Sequence, residues 1–254
     1  MELAVETRGL ERVFGAFTAV GGIDLAVPRG AFYGFLGPNG AGKSTTIKCL
    51  TGLLRPSRGT ISILGIDPNA RPVDVKRLVG VVPEDLALFD RLTGLETLSF
   101  VGQIHGLARG TIDDRSRELF ELMDLGAAGT TLVADYSHGM KKKLSLSAAL
   151  LPAPRLLFLD EPFEGIDAIA SRQIKDLLAA YVKGGGTVFL TSHVLEIVER
   201  LCDRVGVIAR GKLVHQGALE DLRREAGHGK SLEEIFLAMV GHPGKETSLS
   251  WLSA

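Results

Sequence analysis

Gly37-Pro38-Asn39-Gly40-Ala41-Gly42-Lys43-Ser44-Thr45 is the stretch on which the reading of this chain turns. It fits G-x-x-x-x-G-K-[ST], the pattern of a phosphate-binding loop. Its flanks are the ones the pattern needs. Ala31 to Leu36 (AFYGFL) reads as a buried strand leading in, and Thr46 to Leu54 follows with Ile47, Leu50, Leu53 and Leu54 at helical spacing. Gly37, Gly40 and Gly42 allow the main chain to wrap tightly and turn its N–H groups inward. A helix opening near Gly42 adds its positive N-terminal end. Lys43 offers a point charge for the β- and γ-phosphates, and the Ser44 hydroxyl suits Mg²⁺. The loop alone implies a nucleotide without choosing which.

A second constellation lies downstream. Leu156-Leu157-Phe158-Leu159 runs into Asp160-Glu161, four apolar residues followed by two acids. At the C-terminal end of a parallel strand such acids face the ligand crevice. Asp160 is the candidate metal acid and Glu161 the candidate general base for an attacking water. Thr191-Ser192-His193 follows the next apolar strand, Thr187 to Leu190, which places His193 at the same edge as a group for the γ-phosphate.

Around these motifs the chain divides by pattern. The first 30 residues are short apolar segments broken by glycines, suited to antiparallel strands, and Gly59 to Leu64 adds another strand. From about residue 72 to 151 helical spacing dominates, as in Glu96 to Ile104 and Ile112 to Leu125. Lys141-Lys142-Lys143 reads as a solvated basic face of one such helix. Arg155 to Leu159, Ala168 to Lys183 and Thr187 to Leu190 alternate strand, helix, strand, which implies a parallel core sheet. Val205 to Ile208 and Lys212 to Gln216 read as a hairpin around Arg210-Gly211. The end is a helical tail with an apolar stripe at Leu232, Ile235, Phe236 and Met239; the residues around Pro243-Gly244 and Trp251 are expected to be poorly ordered.

Bulk properties narrow the class. A formal net charge of −1 over 254 residues gives no electrostatic reason to expect nucleic acid. Cys49 and Cys202 match no metal spacing and read as small packing groups in a reducing compartment. The acidic N-terminus is unlike a signal peptide, and no apolar run approaches the roughly 18 residues of a membrane span. The expectation is a cytoplasmic, soluble chain whose membrane partner, if it has one, is a separate protein.

The phosphate loop, a helix-opening Tyr136-Ser137-His138-Gly139-Met140, the Asp160-Glu161 pair and His193 resemble, in this order, the ATP-binding subunit of ABC transporters. The likeness spans Leu3 to about Gly217, and the tail resembles the bacterial exporter branch with a separate membrane subunit. It implies an α/β P-loop NTPase with a parallel core sheet, an N-terminal antiparallel β subdomain and a helical subdomain. It implies an ATPase domain over residues 1–217, with a helical insertion at about 72–151, and a helical tail over 218–254. ATP and Mg²⁺ are the implied ligands. The implied partners are transmembrane permease subunits and a second ATPase subunit, identical in the simplest case. The implied location is the inner face of the cell membrane.

The resemblance also assigns residues. Phe14 takes the place of the aromatic that stacks on adenine, with Phe17 as second candidate. Gly165-Ile166-Asp167 resembles the loop that meets the opposite subunit. Ser137 and Gly139 occupy the signature position, where a serine-capped helix end binds the γ-phosphate presented by another copy. Tyr136, His138 and Met140 depart from the usual Leu, Gly and Gln. Glu84 stands where the family has a glutamine, beside Asp85. A carboxylate there can ligate Mg²⁺ but donates no hydrogen bond unless protonated. Two other readings stay open: a soluble ABC-type ATPase, and a non-catalytic nucleotide-sensing regulator. A GTPase would need an Asn-Lys-x-Asp signature, which is absent from the sequence.

Overall fold

The computed structural model describes residues 2–225 and 230–241. The expected disorder around Pro243-Gly244 and Trp251 lies outside the described residues. Two sheets share the chain. The N-terminal part forms β1 (Leu3–Phe14), β2 (Phe17–Ile23) and β3 (Ala26–Pro28), followed by β4 (Phe32–Leu36) and α1 (Lys43–Leu50). Next come β5 (Arg58–Ile63), α2 (Pro72–Leu78) and β6 (Val79–Val82), then α3 (Gly94–Ile104), α4 (Arg109–Leu122) and α5 (His138–Leu150). The remainder is β7 (Leu156–Asp160), α6 (Ala168–Lys183), β8 (Thr187–Ser192), α7 (Leu195–Leu201), β9 (Arg204–Ala209), β10 (Lys212–Ala218), α8 (Leu219–Glu225) and α9 (Leu232–Val240).

β1 pairs antiparallel with β2, β3 and β5. The larger sheet has the order β10-β9-β4-β8-β7-β6, and only the β10–β9 pair is antiparallel. Its inner strands β4, β7 and β8 are buried along their whole length and run apolar because both faces are covered. Phe32, Leu36, Leu157, Leu159, Val188 and Leu190 face a core shared with the helices. Tyr33, Phe35, Leu156, Phe158 and Phe189 face a second core shared with α1 and the antiparallel sheet. There Phe189 packs on Tyr33, Phe35 and Phe158 with ring centroids 5.3–5.6 Å apart. Burying each such ring contributes about 1.5–3 kcal/mol.

One segment departs from the sequence expectation. The stretch expected to be helical from about residue 72 contains β6, whose Val79, Gly80, Val81 and Val82 pair in parallel with Leu156 to Leu159. Gly80 is required there, since a Cβ would lie 2.5 Å from the Ala149 carbonyl oxygen. Two helices beyond it begin on side-chain caps that the sequence supplies: Thr93 and Glu96 form a reciprocal capping box on α3, and Asp167 accepts from Ile169 and Ala170 at the start of α6. Leu219, Leu222, Leu232 and Ile235, in α8 and α9, are buried in the same core as the large sheet. Cys49 and Cys202 are buried and free, and burial pushes both thiols above their usual range.

Candidate nucleotide site

Parallel pairing brings the chemistry to one edge. Leu36 of β4 lies beside Ser192 of β8, and Thr191 of β8 beside Asp160 of β7. The loops leaving these three strand ends therefore share one crevice. A cleft of about 370 Å³ opens there. Pro38, Asn39, Gly40, Gly42, Lys43, Ser44 and Thr45 form one wall, and Glu84, Glu161, Glu164 and His193 face them.

The loop's shape is set by contacts behind it. Gly42 has φ of +108°, and a Cβ there would lie 2.5 Å from the Ala19 carbonyl oxygen; a Cβ on Gly37 would lie 2.5 Å from that of Ile208. Gly37 and Ala41 are structural members, since neither lines the cleft and Ala41 is buried against the second core. Gly42 is the N-cap of α1 and offers no side-chain cap, so the helix end is left for an anion. Lys43 is 7% exposed and donates to the Gly37 carbonyl at 2.8 Å.

Glu161 is held at every polar group but one. Its N–H donates to Thr191 Oγ1 at 3.1 Å, and its carbonyl accepts from Lys142 Nζ at 2.6 Å. Its Oε2 lies 3.0 Å from His193 Nδ1 and accepts from the His193 N–H at 3.3 Å. Its Oε1 is buried without a hydrogen-bond partner, 3.5 Å from Lys43 Nζ. Glu161 also has φ of +49°, a left-handed conformation that costs a residue with a Cβ about 1 kcal/mol or more. Asp160 is buried behind the cleft wall and accepts from Thr191 Oγ1.

Three placements differ from, or refine, the sequence expectations. Lys142 and Lys143 are 2% and 9% exposed, not solvated; among the three lysines Lys141 alone reaches outward, to Asp90 at 3.3 Å. Glu164, not singled out in the sequence, lines the cleft. Phe17 lines the cleft while Phe14, its partner across the β1–β2 hairpin, does not, and one face of the Phe14 ring is covered by the Arg12 guanidinium at 4.3 Å. The only signal for these placements in the sequence is Glu164's spacing, three residues after Glu161.

Glu84 enters the cleft with Oε2 3.4 Å from Ser44 Oγ. Ser137 and Gly139 are outside it. Ser137 caps α5, accepting from the Met140 N–H at 3.2 Å. Tyr136 is buried with its hydroxyl on the Ala128 carbonyl, and Met140 packs against the core, so these two departures from the signature are packing positions. Ser137 and His138 are exposed, and the His138 ring lies about 3.1 Å from where a Gly165 Cβ would sit. The signature thus adjoins the Gly165-Ile166-Asp167 loop within one chain.

Comparison with known proteins agrees with this geometry. Residues 20–164 match the ABC transporter family. The daunorubicin/doxorubicin resistance ATP-binding protein DrrA of Streptomyces peucetius is 40% identical over 88% of this chain and 68% of that protein. The linearmycin resistance ATP-binding protein LnrL of Bacillus subtilis is 36% identical over 88% of this chain and 72% of its own length. A solved ATP-binding subunit of an ABC transporter superimposes with a TM-score of 0.88 at 32% identity, over 93% of this chain and 99% of that one. A bacterial ABC transporter cassette solved as a dimer shares the fold, with a TM-score of 0.79 at 21% identity, over 85% of this chain and 98% of that one. The chain belongs to the ABC transporter family, as one of its ATP-binding, ATP-hydrolysing subunits.

Proposed function

We propose that the chain drives export by closing around ATP with a second copy of itself and reopening after hydrolysis. One observation carries the reading: Glu161 Oε1 is buried, accepts no hydrogen bond and is ion-paired to Lys43 Nζ at 3.5 Å in the cleft. A γ-phosphate entering between them would engage Lys43 and leave Glu161 Oε1 to take the proton of the attacking water. His193 holds the other carboxylate oxygen and is placed to hydrogen-bond the γ-phosphate. Lys43, with the N–H groups of Gly40 and of Gly42 to Thr45, holds the phosphates. Phe14 supplies a flat face for adenine.

The residues fit Mg²⁺. Glu84, Glu161 and Glu164 line a cleft in which Lys43 is the one lysine, so a bare triphosphate would be repelled. The donors Ser44, Glu84 and Asp160 are oxygen-only, and among the described residues no cluster of three or more His, Cys, Asp or Glu could cage a metal alone. An ion that keeps its waters and shares phosphate oxygens suits such a site. Mg²⁺ bound there would neutralise charge on the β- and γ-phosphates. Ser44 and Glu84 would hold it directly and Asp160 from behind.

The half-site at Ser137 and Gly139 is too far from its own cleft to line it, which supports completion by a second copy around a two-fold axis. Separate transmembrane permease subunits are the second partner. A groove of about 390 Å³ includes Leu53, Pro83, Leu88, Phe89, Val101 and His105, with Leu53 and Phe89 more than half exposed. Pro83 lines this groove while Glu84, the next residue, lines the cleft. That adjacency supports Glu84 as a lever between nucleotide and permease. No described helix is long and apolar enough to cross a membrane, so the permease would hold the chain at the inner face. We read residues 1–217 as the ATPase unit, about 72–151 as the transmitting insertion, and 218–254 as a tail. The resistance proteins among the relatives support export as the direction.

Phosphate release by the full chain tests the mechanism. Glu161→Gln should retain ATP binding and lower turnover by about 10²–10⁴-fold. Turnover at the wild-type rate would mean another base.

A further inference from the structure

Lys142 is a buried cation that the mechanism above does not use. It stands two residues beyond Met140 on α5, the helix whose cap is Ser137, and its side chain is 2% exposed. Its ammonium touches the main chain of Glu161, at 2.6 Å from the carbonyl oxygen. The opposite side of the same residue is gripped by Thr191, which accepts the Glu161 N–H at 3.1 Å. Between these bonds, with a longer one from the Glu164 N–H to the same carbonyl at 3.3 Å, Glu161 is held at φ of +49°. A non-glycine residue keeps such a conformation only where its surroundings impose it. Relaxing it would turn the carbonyl from Lys142 and re-aim the carboxylate that now reaches Lys43 and His193.

The surroundings keep a cation in place there. Burial pushes the Lys142 ammonium below its usual range, while Glu164, Glu161, Glu84 and Asp160 pull it back. These acids come from two segments at the cleft, Glu84 beyond β6 and Asp160 to Glu164 at the end of β7, and Lys142 is a countercharge to both. Ser137 and Lys142 are five residues apart on one rigid helix, about 7.5 Å along its axis.

We propose that Lys142 is a positioning residue for hydrolysis: it locks the Glu161 peptide in its left-handed form, so the seating of α5 against the sheet sets the aim of the Glu161 carboxylate. A second copy pressing on Ser137 would thereby reach the hydrolytic centre through one hydrogen bond. Lys142 itself is buried and does not line the cleft. The inference rests on the reading of Glu161 as general base.

The test compares wild type, Lys142→Met, Glu161→Gln and the double variant in the full chain, by steady-state ATPase and ATP binding. Methionine keeps the unbranched shape without the charge. Lys142→Met should lower kcat by about tenfold or more and leave KM within about twofold, the signature of an interaction made for the transition state. In the Glu161→Gln background it should cause no further loss of residual turnover and no change in ATP affinity. Wild-type kcat in Lys142→Met overturns the proposal. So does an equal loss in both backgrounds, or a loss of ATP affinity in the double variant, since either marks a role in folding alone. Undiminished turnover by Glu161→Gln alone would overturn the base assignment first, and this inference with it.

Discussion

The cradle around Lys43 and the first turn of α5 both offer a helix N-terminus to an anion, but they are built in opposite ways. α1 starts at Gly42, has no side-chain cap, and opens into a cleft with a buried lysine and facing carboxylates. α5 starts at Ser137, whose hydroxyl already satisfies the Met140 N–H, on an exposed turn outside that cleft. The first end is left open for a ligand. The second has its Met140 N–H already taken by the Ser137 oxygen, so it offers a phosphate the Ser137 hydroxyl proton and fewer free amides. Such an end binds poorly alone and adds most to a phosphate already held elsewhere. The asymmetry suits a device in which ATP binds first to one chain and joins the second afterwards.

The largest effect should come from the cradle. Lys43→Ala removes its cation and strands Glu161, and should weaken ATP binding on the order of a hundredfold or more. Near-normal affinity in a direct binding titration would break the contrast between the two helix ends. Adenine stacking comes next. Phe14→Ala should lower ATP affinity roughly tenfold and Phe17→Ala by less; the reverse order in the same titration would hand the role to the cleft-lining ring.

Smaller effects belong to the other half-site and the metal. Ser137→Ala should leave ATP affinity of the single chain unchanged while weakening ATP-dependent pairing by about fivefold, measured by static light scattering. A fall in single-chain affinity would show that Ser137 serves its own cleft. Glu84→Gln should shift the Mg²⁺ concentration needed for ATP binding by a few-fold, as expected for one direct ligand among several oxygens, most of them from water and phosphate. An unchanged metal titration together with unchanged transport would remove Glu84 from both its roles.

Much of this was legible locally. The strand Phe32–Leu36, the loop and α1 could be read because apolar runs, glycines and helical spacing report backbone form directly, and α6 matched its expected Ala168–Lys183 bounds. β6 was not legible: four residues, one of them Gly80, sit among helical patterns, and only pairing with β7 makes them a strand. Lys142 was misread for a related reason. Three consecutive lysines look solvated, and nothing local says that the second will meet the Glu161 carbonyl.

The sequence by itself determined that a glycine loop follows a buried strand, that two acids end another, and that a serine-capped helix lies between them. Each is a matter of backbone form or residue type over a few positions. Tertiary structure decided which polar groups face one another: Lys43 with Glu161, Glu84 with Ser44, Lys142 beneath the Glu161 peptide. A charged side chain takes its meaning from burial and neighbours, and those are settled only when strands distant in the chain align at one edge of the sheet.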